Sequence, residues 1–327
     1  MIDATILFEQ VAVLVLIMIP GFLLGKFKLV GDGFGKSISN VILYAAQPAL
    51  IIAGFVSVDF SGAVILRMGM VFLLAILAHL LFYGLSLLFF RNAPEKKRSV
   101  LFFSTVFTNA GYMGIPLLEA LFNKTVPEIA IYGSVYVTAF NIFVWSLGAY
   151  LYTSDKSYIS VKKMILNPAT ISTFVGLAIF LLSAIPAVRD AVIIPFVRDE
   201  GIVSSLLTGM KALVAPLAML LIGFRFTDLD FKGIWKDKYL YLNIAVSLLL
   251  CPAIVWLLLR LLSFCGIYDD AVVTAVLFMS AAAPAATATS MFAEKFDGDS
   301  PYASLVVSVT SVLCVLSMPL VSLLTLI

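Results

Sequence analysis

Ten apolar runs, each close to the length that crosses a bilayer, leave this 327-residue chain little choice of medium. A helical span needs about 20 predominantly apolar residues. The runs occupy 5–25, 38–57, 63–90, 98–121, 128–153, 168–186, 202–224, 239–263, 270–293 and 301–325. The longest connections, 154–167, 187–201 and 225–238, cannot hold a soluble domain, so any function lies within the membrane. Composition agrees: 62% of residues are hydrophobic and 12% charged, against roughly half and a quarter in an ordinary soluble domain. The fold class is therefore expected to be all-α and integral to the membrane. Asp3 and Glu9 precede or enter the first run, and no basic segment does. That run reads as a retained span, not a cleaved signal. The net charge of +2 does not point to nucleic acid, because the basic residues sit in short loops. Cys251, Cys265 and Cys314 lack metal-ligand spacing and read as small apolar side chains. No metal and no cofactor is expected.

Orientation follows from Lys and Arg in the loops. Connections after the odd-numbered runs carry 15 of them, among them Lys36, Arg98, Lys163, Lys232 and Lys295. The opposite side carries 5: Arg67, Lys124, Arg189, Arg198 and Arg260. The bias places the odd-numbered connections in the cytoplasm and both termini outside, in a multi-pass protein of the cell (inner or plasma) membrane.

A single offset relates the two halves. "QPALIIAGF" resembles "APLAMLLIGF", with Pro48 and Pro216 separated by 168 residues, and Pro116 and Pro284 are separated by the same 168. Shifting the third and fifth runs by that amount brings them onto the eighth and tenth. The expected organisation is a five-helix repeat over 1–153, a short cytoplasmic linker over 154–167, and a second repeat over 168–327. An odd number of spans per repeat inverts the second in the membrane. Inverted repeats with interrupted helices at equivalent places point to the site of a secondary transporter.

The interruptions are explicit. "TNAGYMGIPLLEA", residues 108–120, puts Asn109, Gly111, Gly114 and Pro116 inside the fourth run. Pro116 has no N–H and its ring opposes the carbonyl of Tyr112; Pro284 stands in the same relation to Ser280. Gly111 and Gly114 permit backbone angles that other residues resist. Broken backbone at membrane depth is tolerated only where protein or a water-filled cavity satisfies it. Two matched breaks are expected to cross near the midplane. There, half-helix N-termini would offer N–H groups and partial positive charge to an anion.

"NAGYMGIPLLEALF" resembles the N-x-x-G-x-x-G-x-P-L-L signature of the auxin efflux carrier family, whose bacterial members include malate and malonate permeases. "APLAMLLIGFRF" and the stretch from Pro284 to Leu320 are similar to later segments of that family, so the resemblance covers nearly the whole chain. It implies ten transmembrane helices in two inverted five-helix repeats, with helices 4 and 9 broken and crossing. Helices 1, 2, 6 and 7 would form a scaffold that mediates a homodimer. Helices 3–5 and 8–10 would form a mobile transport domain. A small carboxylate would sit between them and move by an elevator-like displacement. The short 154–167 connection suits a bacterial type. Ser280 stands where an Asn beside the crossing is expected, a departure from the plant pattern.

Polar residues inside spans supply the candidate site. Asn109 either donates to a carboxylate or caps its half-helix. Under the fold reading, Gln47 lines the scaffold side, and Tyr136, Asn141 and Thr287 approach from the transport side. Lys211 lies about nine residues into the seventh run, roughly 13 Å deep. It either meets a substrate carboxylate, favouring a diacid, or snorkels to the outer interface. His79, the one histidine, is either a proton-coupling group or satisfied by an interhelical hydrogen bond. Glu119 is either a proton carrier or solvated at the outer end of its run.

Transport of a small organic anion such as malate, malonate or an auxin-like acid is the expected function. A cation-coupled symporter of the bile-acid type is the alternative within the fold class, and a channel or membrane sensor the alternative outside it. An enzyme is not expected. One histidine and no matched intramembrane carboxylates leave neither a zinc hydrolase nor an aspartyl protease the groups it needs.

Overall fold

The computed structural model describes residues 4–31, 33–122, 124–198, 201–228 and 236–326. Asp3 and Lys232, used above, lie outside the described residues. In chain order the helices are α1 (Thr5–Lys26), α2 (Phe34–Val56), α3 (Gly62–Phe90), α4 (Glu95–Val106), α5 (Ala110–Phe122) and α6 (Ile129–Thr153). They continue as α7 (Lys156–Leu182), α8 (Ile202–Arg225), α9 (Lys238–Phe264), α10 (Ala271–Ala282), α11 (Ala288–Lys295) and α12 (Ser300–Thr325). Eight of these are long and apolar enough to cross a membrane. The other four, α4, α5, α10 and α11, are halves of the fourth and ninth apolar runs. At 1.5 Å per residue none of the four spans a bilayer alone. The connection expected over 187–201 is largely wound into helical turns over 186–198, and the 154–167 linker also contributes helical turns to α7.

Three aspartates stand at helix starts. Asp270 accepts from the amides of Val272 (2.9 Å) and Val273 (3.0 Å), and Asp299 from Tyr302 (3.0 Å). Asp237 accepts from Tyr239 (3.0 Å) and Leu240 (3.2 Å). Each satisfies first-turn N–H groups that have no partner in their own helix. Two of these caps also tie helices together: Arg67 of α3 binds Asp270 at 2.8 Å, and Lys97 of α4 binds Asp237 at 2.5 Å. Burial alone would raise the Asp237 carboxyl; Lys97 and the two amides outweigh it and hold the group below its usual range.

Prolines act differently from the sequence expectation. Pro48, Pro116 and Pro252 each follow one wide turn, over Ile42–Ala46, Ala110–Gly114 and Val246–Leu250. Opening the turn to an i→i+5 bond absorbs the missing proline N–H without stopping the helix. The break in the fourth run therefore lies upstream of Pro116, at 107–109, where Phe107 is extended (φ −112°, ψ 105°). Gly111 and Gly114 do not adopt left-handed angles either; Gly266 is the one glycine with positive φ among the described residues.

The closest helix crossing joins α1 to α8. Gly21 lies against the backbone of Leu220, and Gly223 against the backbone of Met18, so that a Cβ at either position would overlap a carbonyl oxygen. Small residues at such crossings let helix backbones meet where no hydrophobic force operates between them. α6 and α12 are the most enclosed of the long helices, with Tyr132, Tyr136, Val306 and Cys314 buried.

Candidate functional site

The two breaks meet. The N–H of Asn109 donates to the carbonyl of Pro284 at 2.7 Å, and the N–H of Ala286 donates to the carbonyl of Phe107 at 2.9 Å. Thr108 and Ala285 thus form a single antiparallel bridge, with no strand among the described residues. Side chains complete the satisfaction of freed backbone. α10 ends at Ala282, before Pro284, and the Ser280 carbonyl takes the Thr108 hydroxyl at 2.7 Å. Thr310 of α12 accepts from the N–H of Ala285 at 3.2 Å. Unpaired backbone in a membrane would cost several kcal/mol per group; the two threonines and the single bridge remove most of that cost.

A cavity of about 900 Å³ opens beside the crossing. Asn109, Gly111 and Tyr112 line it at the N-terminus of α5, and Ala286, Thr287 and Ala288 at the N-terminus of α11. The first bond within α5 runs from the Met113 N–H to the Asn109 carbonyl at 3.0 Å, so the amides before Met113 precede the helical ladder. Asn109 is buried, and its amide nitrogen has no hydrogen-bond partner among the described residues. Gln47 of α2 faces the same space; its oxygen lies 3.5 Å from the Tyr112 hydroxyl. A Cβ at Gly111 would stand 3.3 Å from the Gln47 nitrogen, so glycine leaves the amide room. Asn141 also lines the cavity, but its nitrogen already donates to the Val137 carbonyl at 2.8 Å. The arrangement sets two helix N-termini around one cavity, with Asn109, whose amide nitrogen is buried without a partner among the described residues, in its lining. That is an environment for an anion.

Gln47, Asn109, Gly111, Asn141 and Thr287 line one cavity. Gly114, Pro116, Tyr136, Ser280 and Pro284 stand behind them and do not line the cavity. Pro284 and Ser280 serve the crossing through their carbonyls. Tyr136 is buried with its ring 5.5 Å from that of His79.

Lys211 and Glu119 do not line the cavity. They bind each other at 3.0 Å, joining α8 to α5. His79 is fully buried; its Nδ1 lies 2.7 Å from the Ala75 carbonyl, four residues back on the same helix. A carbonyl only accepts, so Nδ1 is the donor in this bond. The expected interhelical bond is not made: Nε2 has no partner among the described residues. The ring stacks on Phe143 (5.2 Å, 9°) with Phe107 and Phe140 around it.

Sequence reasoning passed over Thr108 and Thr310, although Thr108 adjoins Asn109. It also treated Lys36, Lys163 and Lys295 only as markers of orientation; all three line the mouth of the cavity, with Trp145.

A family model described as membrane transport protein matches residues 6–163 and again 154–322. No curated protein matches the chain.

Proposed function

The chain belongs to the membrane transport protein family, that of the auxin efflux carriers, and on that premise we propose that it is a secondary transporter of small organic anions. The observation that carries the proposal is the Asn109 amide, without a partner among the described residues, beside two helix N-termini in one cavity. A carboxylate such as malate, malonate or an auxin-like acid binds there, its oxygens taking N–H groups of α5 and α11 and the Asn109 amide.

The two broken runs are equivalent positions of two inverted five-helix repeats, counted as ten transmembrane segments. α1, α2, α7 and α8 form the scaffold, which pairs with a second copy. The remaining helices form the transport body, which slides against it as an elevator. The cavity mouth carries Lys36, Lys163 and Lys295, which the charge bias assigns to the cytoplasm. This state is inward-open. The Lys211–Glu119 pair closes the opposite side between scaffold and transport body. The membrane is the cell (inner or plasma) membrane, with both termini outside.

A single reporter thiol tests the site. Ala288 lines the cavity, and the one exposed cysteine among the described residues is Cys265. In a Cys265→Ser background, Ala288→Cys is expected to react with a membrane-impermeant maleimide added from the cytoplasmic side, and malate is expected to slow that reaction. A thiol that reacts only from the outer face, or at a rate no carboxylate changes, contradicts the proposal.

A further inference from the structure

The mouth of the cavity is built differently from its floor. The floor offers neutral donors, whereas the mouth offers three ammonium groups, Lys36 of α2, Lys163 of α7 and Lys295 of α11. None of them has a carboxylate within ion-pair distance among the described residues; the nearby Arg225 and Glu294 engage each other at 3.3 Å. The Lys295 ammonium stands 4.6 Å above the ring of Trp145, which also lines the cavity. Lys163 is close enough to act on it: burial pushes the Lys295 ammonium down from its usual range, and the Lys163 charge pushes it further. Two like charges lining one cavity without a carboxylate in ion-pair distance repel each other, and an anion between them relieves the repulsion.

This place is separate from the crossing. Ala288, Met291, Phe292 and Lys295 follow one face of α11 at helical spacing. Lys295 is eight residues beyond Thr287, or about 12 Å along the axis.

We infer that Lys163 and Lys295, with Trp145 beneath the Lys295 ammonium, form a second anion site that captures a carboxylate at the cavity mouth before it reaches the crossing. As a waypoint this rests on the transporter reading, since the crossing is its destination. The chemistry recognised is an oxyanion, which a soluble carboxylate or a lipid headgroup can each supply. Charge concentrated at a cleft mouth raises the local concentration of its ligand and the rate of capture, most strongly for dianions and at low salt.

Trp145 is the reporter. The chain has three tryptophans, so Trp235→Phe with Trp256→Phe leaves Trp145 alone. The full-length variant in phosphatidylcholine nanodiscs at low ionic strength is titrated with malate, against chloride at matched ionic strength. The expected result is a saturable change in Trp145 emission with malate alone. Adding Lys163→Gln and Lys295→Gln should weaken the apparent affinity about tenfold, a difference that shrinks toward about 1 M salt, where screening acts within about 3 Å. Asn109→Ala should leave the emission change in place. No saturable change overturns the inference. So does a change that survives the lysine substitutions and vanishes with Asn109→Ala, because that reports the crossing. A change produced only by adding phosphatidylglycerol assigns the lysines to a lipid headgroup and overturns the waypoint. The two readings fail separately. Malate that alters Trp145 emission but is not carried across a membrane leaves this site standing and removes the transporter; malate that is carried without any emission change does the reverse.

Discussion

Asn109→Ala is expected to slow anion exchange by about 100-fold while the protein still purifies as a folded species. Removing a hydrogen bond to a charged partner costs about 1.5–3 kcal/mol, and each 1.4 kcal/mol is tenfold in an equilibrium constant. The substitution is selective. The backbone N–H of Asn109, which holds the crossing to Pro284 at 2.7 Å, remains in alanine. Only the side-chain amide is lost, and its nitrogen has no partner among the described residues. A buried donor without a partner is itself unfavourable by about 1–3 kcal/mol, so truncation should not destabilise the fold. Asn109→Asp should be at least as damaging, because it sets a carboxylate where one is to bind. Exchange rates in proteoliposomes, with thermal unfolding of the same preparations, check both halves of the expectation. Wild-type rates in Asn109→Ala would remove the side chain from the site and leave it a capping role.

Gly223→Val is expected to have the largest effect on folding. A Cβ at Gly223 meets the backbone carbonyl of Met18, and one at Gly21 meets that of Leu220. Neither neighbour is a flexible side chain, so α1 and α8 must separate along their shared face. Overpacking by a few atoms costs about 1–3 kcal/mol even where side chains can yield; here backbone must move. The expected outcome is loss of the monodisperse peak in size-exclusion chromatography, or a Tm lower by about 10 °C. Gly209 is the internal control. It lies in the same helix, and the Cβ that alanine would add there meets nothing within 4 Å. Gly209→Ala should leave stability unchanged or raise it by up to about 1 kcal/mol. Equal behaviour of the two variants would show that the crossing is not tightly packed.

Much of this was legible in the sequence because the membrane imposes coarse rules. Apolar length alone located the long helices, and the cluster of Asn109, Gly111, Gly114 and Pro116 located a break. Its mechanism was not legible. Proline was the obvious breaker, yet Pro116 sits in continuous helix behind a widened turn, and the chain opens at Phe107–Asn109 instead. What opens it is a partner 172 residues away, the Ser280 carbonyl that receives the Thr108 hydroxyl, and no local pattern encodes such a pairing. The same reason explains Lys211. Its depth in the seventh run suggested a buried charge in search of an anion, and its counter-charge is Glu119, on a helix 92 residues away. Lys163 and Lys295 were hidden for the opposite reason. Loop lysines are common enough to be read as topology signals, and only the fold brings those two to one cavity.

The central claim, that a carboxylate crosses the membrane through this cavity, is tested most directly by counterflow in proteoliposomes. Labelled malate, malonate, lactate and indole acetate would be followed with and without unlabelled anion on the far side, and with and without a pH gradient. Saturable uptake of at least one carboxylate, accelerated by the same anion on the far side, is the result expected of alternating access. Uptake that rises linearly with concentration and ignores the far side, or no uptake of any of the four above protein-free liposomes, would contradict it.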